Sequence, residues 1–221
     1  GGSADLTGSN GTSVPGPAVT ATSFEDASHI HFGIREHAMG AICNGMALHG
    51  GLIPYCATFL VFHDYMRPSV RLSALMGQRV IYIYSHDSVF LGEDGPTHQP
   101  IETMLAIRAI PDMMLIRPCD AHETTAAWKM ALKRQNKPTA IVLTRQGVMT
   151  RDETLSGTER GGYTLTDCTG KPDVILMATG SEIDLAVDTA KELEAAGKSV
   201  RVVSLPCREL FWQQEDSYKT S

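Results

Sequence analysis

The chain has 221 residues, 43% of them hydrophobic, and 25 Asp+Glu against 19 Lys+Arg give a formal net charge of −6. That length fits one large domain or one domain plus part of another, the composition excludes disorder, and without a Lys/Arg run the chain has no means of neutralising a nucleic-acid backbone. The longest apolar stretch, residues 57–62 interrupted at Thr58, is far too short to span a bilayer, so no membrane segment is expected, and an odd set of five Cys without a CxxC fits a reducing compartment.

In chain order, Gly1-Gly2-Ser3-Ala4-Asp5-Leu6 reads as a strand running out into a loop. With no initiating Met, the chain is expected to be a fragment; the localisation expectation is cytoplasmic, with a plastid or other organelle left open. Residues 7–28 are rich in Gly, Ser, Thr and Pro without periodicity, which predicts a long loop. A short strand is predicted over 29–34. From Glu36, the residues Met39, Ile42, Cys43, Met46 and Ala47 recur at helical spacing, and Gly50-Gly51 stops the helix. The pattern then predicts a strand over 52–56, a helix over 60–75 despite Pro68, a strand over 79–84, a Gly/Pro loop over 92–100, a helix over 101–110 and a strand over 113–117. Asp120 is placed to cap a helix over 121–135, with Glu123 as its capping-box partner, and a strand follows over 139–143. Strands alternating with helices predict an α/β fold, a mostly parallel sheet with helices on both faces. The first domain is read as 1–146, a polar linker as 147–161, and the beginning of a second α/β domain as 162–221, with strands over 163–168, 174–177 and 200–205 and a helix over 182–196. The turn Ala178-Thr179-Gly180-Ser181-Glu182 has one Gly and is read as a plain helix start, not a dinucleotide fingerprint.

Four places carry candidate chemistry, and in a parallel sheet ligands sit beyond the carboxyl ends of the strands. Glu36, at a strand exit and helix start, is either a carboxylate stabilised by the helix dipole or a buried one with a raised pKa that exchanges a proton with a ligand nitrogen. Phe59, Phe62 and Tyr65 repeat every three residues, which suits a core stripe or an aromatic wall for a flat ring. The segment 85–100 packs His86, His98, Asp87, Glu93 and Asp94 with two Gly and two Pro into sixteen positions, a density that suggests acid/base or hydroxyl-recognition chemistry. Arg145, after the strand over 139–143, is placed either for a phosphate or for a surface ion pair. His29, His31 and His37 lack a Cys or carboxylate at ligand spacing, so no metal site is read there. Cys43 and Cys56 are expected to be buried.

The segments GGSADL, FGIREHAMGAICNGMALHGG, ATFLVFHDYMRPSVRLSAL, SHDSVFLGEDGPTHQP, RPCDAHET and LTRQ closely resemble the transketolase family. The resemblance covers the pyrimidine-binding domain to about Gln146. It continues more weakly through KPDVILMATGSEIDLA and RVVSLP, which are similar to the start of that family's C-terminal domain. The resemblance implies thiamine diphosphate as cofactor and reversible transfer of a two-carbon ketol unit from a ketose phosphate to an aldose phosphate, the type of reaction used in the pentose phosphate pathway and Calvin cycle. It gives Glu36 the contact to N1′ of the aminopyrimidine that leads to the thiazolium ylid, and Phe59, Phe62 and Tyr65 the pocket for the pyrimidine ring. By the same resemblance Ser3, His86 and Arg145 hold the sugar phosphate, Asp94 binds a substrate hydroxyl, and His98 exchanges a proton near the donor carbonyl.

Phe90 departs from the family pattern, which has a small residue there. Nothing in the chain resembles the diphosphate-binding domain with its GDG motif, so Mg²⁺ (or Ca²⁺) and the diphosphate are expected to be held by an absent domain. The active site is expected between the subunits of a homodimer, and the fragment alone is expected to be inactive. Dihydroxyacetone synthase, deoxyxylulose-phosphate synthase and a non-catalytic, truncated interaction module are the alternatives.

Overall fold

The structure is a computed structural model that describes residues 1–19 and 27–220. The chain forms two compact units, the first of residues 1–114 and 131–146, the second of residues 115–130 and 147–221.

A seven-stranded sheet has the order β2-β3-β1-β4-β5-β7-β6. Its strands are β1 (Gly2–Ser3), β2 (Ala18–Val19), β3 (His29–His31), β4 (Tyr55–Phe59), β5 (Ile81–Ser85), β6 (Met114–Ile116) and β7 (Thr139–Val142). The pairs β2–β3, β3–β1, β1–β4, β4–β5 and β5–β7 are all parallel. The helices along this part of the chain are α1 (Glu36–His49), α2 (His63–Leu75), α3 (Thr103–Arg108) and α4 (Ala121–Lys133). All five residues of β5 are buried, as a central strand covered on both faces requires.

Helices α1 and α2 pack closely at Gly40, where a β-carbon would come within 2.4 Å of Ser69 Oγ. Asn44 Nδ2 then donates to Ser69 O at 2.8 Å, and Tyr82 Oη donates to Ser73 Oγ at 3.0 Å. The buried face of α1 holds Glu36, Met39, Gly40, Cys43 and Asn44, and Ile42, read on the same face as Met39 and Cys43, is exposed. Cys43 and Cys56 are buried as expected.

Several expectations shift. The strand expected over 52–56 is β4, which starts at Tyr55, because Leu52 and Ile53 are exposed and the buried run is Cys56 to Phe59. The helix expected from Leu60 opens with a 3₁₀ turn, Leu60–Phe62, before α2. Within the loop expected over 7–28, Ala18–Val19 pairs with β3 as β2, and residues 20–26 of that expectation lie outside the described residues.

In the second unit, β8 (Tyr163–Thr166), β9 (Val174–Ala178) and β10 (Val200–Ser204) form a sheet of order β8-β10-β9, with β9 parallel and β8 antiparallel to β10. Helix α5 (Glu182–Ala195) buries Ile183, Val187 and Ala190 in a core with Tyr163, Leu165, Val200 and Val202, and α6 (Arg208–Trp212) and α7 (Asp216–Lys219) follow. The segment expected as a linker over 147–161 is instead pinned down. Asp120 accepts from Arg151 N at 3.0 Å and from the Thr154 hydroxyl, and Thr154 and Thr158 are buried. At the turn before α5, Gly180 has φ +58°, and a β-carbon there would come within 2.7 Å of Arg117 Nε. The single Gly of this turn thus makes room for Arg117, whose Nη1 donates to Thr179 O at 2.8 Å.

Candidate active site

Two recesses open at the carboxyl ends of the parallel strands of the first unit. The first, of 480 Å³, is lined by Ala4, Asp5 and Leu6 after β1, Ile34 and Glu36 after β3, and Phe62 and Tyr65 after β4. Glu36 is the first residue of α1 and only 8% exposed, so its carboxylate is buried beside apolar and aromatic side chains. Phe62 and Tyr65 have ring centroids 5.9 Å apart and inclined at 40°. A flat heteroaromatic ring with a nitrogen toward Glu36 and a face toward Phe62 or Tyr65 suits these groups. Among the described residues, the only charged side chains lining this recess, Asp5 and Glu36, are acidic, which does not suit a diphosphate. The residues present therefore fit the pyrimidine end of thiamine diphosphate and not its other end.

The second recess, of 390 Å³, is lined by Ser9, Phe59, His86, Asp94, His98 and Arg145. Phe59 ends β4, His86 follows β5, and Arg145 follows β7. Phe59 lies between the two sites. It stacks on Phe62 at 5.9 Å and on His86 at 3.7 Å, and its neighbour His98 stands edge-on to Phe62 at 5.2 Å. The aromatic triplet therefore spans a strand end, a 3₁₀ turn and a helix rather than one helical stripe. Arg145 Nη2 donates to Glu93 Oε1 at 2.9 Å, and His98 Nδ1 lies 2.8 Å from Thr97 Oγ1. Burial pulls the His86 pKa below the ordinary imidazole value, with Asp94 opposing this, Arg145 assisting, Asp87 opposing and His98 assisting. A concave surface with one guanidinium, two imidazoles, a carboxylate and a hydroxyl has the donors for a phosphate and the acceptors for sugar hydroxyls.

Of the residues read from sequence, Glu36, Phe62 and Tyr65 meet in the first recess, and Phe59, His86, Asp94, His98 and Arg145 in the second. Ser3 is in neither. It is fully buried in β1, its Oγ donating to Ala57 O at 3.1 Å and accepting from Asn10 Nδ2 at 2.7 Å, so the expectation that it touches a phosphate is corrected. The hydroxyl at the recess is that of Ser9, six residues on. Sequence reading missed Ser9 and Asp5, although both lie in the loop that leaves the carboxyl end of β1 in a parallel sheet, which is the signal that finds them. Phe90 is exposed on a 3₁₀ turn and lines neither recess. His29 and His31 pack edge to face at 4.9 Å, with His29 Nε2 3.0 Å from Thr7 Oγ1. Among the described residues no three or more His, Cys, Asp or Glu side chains group as metal ligands, and no helix is long and apolar enough to cross a membrane.

The family model for the pyrimidine binding domain of transketolase matches residues 1–150, and that for the transketolase-like C-terminal domain matches residues 161–221. A transketolase of Aquifex aeolicus is 49% identical over 223 residues, 99% of this chain and 32% of the relative. The crystal structure of a Pichia stipitis transketolase in complex with sedoheptulose-7-phosphate superposes with a TM-score of 0.91 at 46% identity, over 99% of this chain and 33% of that one. A split-gene transketolase described as an inactive β4 tetramer gives a TM-score of 0.71 at 30% identity, over 81% of this chain and 57% of that one. The chain thus spans about a third of the length of the curated relatives it matches. With both family models matched in order, and with the parallel sheet and its two recesses set out as described, this chain belongs to the transketolase family.

Proposed function

We propose that this chain supplies the pyrimidine-side and sugar-phosphate half of a transketolase active site. In the reaction a two-carbon ketol unit leaves a ketose phosphate and joins the carbonyl carbon of an aldose phosphate. The observation that carries this reading is the adjacency of the two recesses, a ring-sized one with a buried carboxylate and a polar one with Arg145, joined through Phe59 and Phe62.

Thiamine diphosphate, when bound, supplies the carbon nucleophile that carries the two-carbon unit. Glu36 shares a proton with the ring nitrogen N1′ of its pyrimidine, and Phe62 and Tyr65 hold the ring by stacking and keep water from it. Phe59 backs this wall and sets the plane of His86. Arg145, His86 and Ser9 hold the sugar phosphate, Asp94 accepts a hydroxyl beside the reacting carbon, and His98 moves a proton at the donor oxygen. The acidic pair Asp5 and Glu36 leaves the diphosphate and its Mg²⁺ to a second domain, consistent with an active site shared between two copies in a homodimer. Ile34 and Tyr65 stand exposed at the rim, where such a partner would cover them. The split-gene relative, described as an inactive assembly, supports the reading that such a chain is inactive on its own.

The test is Arg145→Ala in the protein that carries this chain together with its diphosphate-binding domain. Loss of a charge-assisted hydrogen bond, about 1.5–3 kcal/mol, lowers kcat/KM for phosphorylated acceptors by roughly 10- to 150-fold and leaves non-phosphorylated acceptors nearly unchanged. Equal losses for both classes would remove the phosphate role.

A further inference from the structure

We propose that the buried hydrogen-bonded chain from Ala57 O through Ser3, Asn10 and Ser85 fixes the His86 proton on Nδ1, so that the cleft takes up one proton with each phosphate-type anion it binds, at His86 Nε2. This rests on the phosphate reading of the cleft given above.

The direction of the chain follows from counting hydrogens. Ala57 O is a carbonyl and only accepts, taking Ala4 N–H at 3.0 Å and the Ser3 hydroxyl at 3.1 Å. That uses the one proton of Ser3, so its Oγ accepts from Asn10 Nδ2 at 2.7 Å. The side-chain amide of Asn10, otherwise ambiguous in its orientation, is thereby set with Oδ1 toward Ser85, from whose hydroxyl it accepts at 2.6 Å. The one proton of Ser85 is now used as well. Its contact with His86 Nδ1 at 2.9 Å needs a hydrogen, and only the ring can supply it. A neutral imidazole has a single N–H, so Nε2 is left as a lone pair. Ser3, Asn10, Ser85 and His86 are all buried, which keeps bulk water from reversing the chain. The ring is also fixed in place: His86 has φ +58°, the left-handed region that a non-glycine residue rarely occupies, and it stacks on Phe59 at 3.7 Å and 20°.

A fully ionised phosphate or a sulfate offers only lone pairs. Set against Nε2 it is repelled unless that nitrogen carries a proton. The charged and titratable groups facing the ring are Asp94, Arg145, Asp87 and His98, and burial with Arg145 and His98 outweighs the two carboxylates, so the free ring is neutral above its depressed pKa. A bound anion beside it favours the imidazolium and raises that pKa. The sign is then fixed: affinity is full below the free-state pKa and declines about tenfold per pH unit above it, until the bound-state pKa is passed. Ser85, Asn10 and Ser3 are positioning residues in this scheme, and Ser3 acts through His86 instead of touching the anion.

The experiment titrates sulfate and, separately, inorganic phosphate into the protein that carries this chain with its diphosphate-binding domain, by calorimetry in buffers of different ionisation heat at pH 7.5. Sulfate cannot take a proton near neutral pH, so any uptake with it belongs to the protein. Proton uptake approaching one per sulfate is expected, with a dissociation constant that rises with pH from neutral upward, by at most about tenfold per pH unit. Ser85→Ala removes the acceptor for Nδ1–H and frees the ring to hold its proton on Nε2, so uptake should approach zero and the pH profile should flatten while sulfate still binds. Ser85→Thr keeps the hydroxyl and should keep the uptake. Sulfate binding to the wild type without proton uptake overturns the inference and leaves the phosphate reading standing. So does uptake with phosphate but not with sulfate, or unchanged uptake in Ser85→Ala. Failure of both anions to bind overturns the phosphate reading and this inference together.

Discussion

Glu36 is a first-turn helix residue that is buried and lines a recess. The proposed role needs one carboxyl proton at one nitrogen, and an amide of the same shape cannot exchange it. Glu36→Gln in the protein with its diphosphate-binding domain should therefore lose kcat by about 10²- to 10⁴-fold with the thermal unfolding midpoint nearly unchanged. Retention of ketol transfer by the variant would take the proton role from Glu36. His63 is the other residue with a measurable signature. It is fully buried, its Nδ1 lies 2.9 Å from Tyr84 Oη, and burial, with Arg67 nearby, holds its pKa down at about 4. Unfolded, it takes a proton near pH 6.5, so the unfolded state binds more protons between the two values and stability is lost as pH falls from about 6.5 to about 4. The stability advantage of wild type over His63→Gln should shrink by about 3 kcal/mol across that window. Hydrogen exchange of the β5 amides reads this in the first unit, and a pH-independent difference would mean that His63 is not held neutral by the fold.

At the scale of elements, the second unit is organised by one carboxylate. Glu123 is fully buried, and it accepts from Tyr163 Oη at 2.8 Å, Ser204 Oγ at 2.6 Å and Cys119 N at 2.8 Å, tying the start of α4 to β8 and β10. Asp120 in turn accepts from Glu123 N at 3.0 Å. The sequence pattern located this cap, because the Asp120 to Glu123 spacing is a local rule. It did not show that Glu123 reaches back to Cys119 and across to two strands, since those partners lie 40 and 81 residues away along the chain. Glu123→Ala leaves three buried donors without an acceptor and should cost about 3–5 kcal/mol, against about 1–2 for Tyr163→Phe. Both Trp residues, Trp128 and Trp212, lie in this unit, so their fluorescence during urea unfolding reports it. A loss for Glu123→Ala no larger than for Tyr163→Phe would show that the network adds nothing beyond one bond. The same contrast separates what else was legible. The alternation of strands and helices is local and read well, and β5, α4 and α5 fall where periodicity puts them. The start of β4 was misplaced because Leu52 and Ile53 are apolar yet exposed, which no local pattern reveals. In the site, Glu36, His86 and Arg145 stood out as strand-end residues, whereas choosing Ser9 over Ser3 required knowing which hydroxyl the sheet buries.

For the molecule as a whole, the distribution of charge decides what these 221 residues do alone. The ring-sized recess offers Phe62, Tyr65 and Glu36, and stacking with one carboxyl contact contributes about 2–4 kcal/mol. Among the described residues its only charged side chains, Asp5 and Glu36, oppose a diphosphate, and those residues group no metal ligands that would bring Mg²⁺ to neutralise it. Arg145 stands in the other recess, paired with Glu93. After the ligand's lost freedom is counted, a contribution of that size gives millimolar affinity or weaker. Calorimetric titration of the 221-residue chain with thiamine diphosphate and Mg²⁺ should therefore show no binding at micromolar concentrations, and ketol transfer should be undetectable. Adding the diphosphate-binding domain from a transketolase relative as a separate chain should restore tight binding, because the metal and diphosphate contacts then come from the other side of the cofactor. Exposed Ile34 and Tyr65, which ring the recess, would be covered in the same step, so assembly and cofactor binding should each strengthen the other. Micromolar binding by the 221-residue chain alone would show instead that the recess holds the cofactor without a diphosphate site, and the division of labour proposed for the two domains would fall.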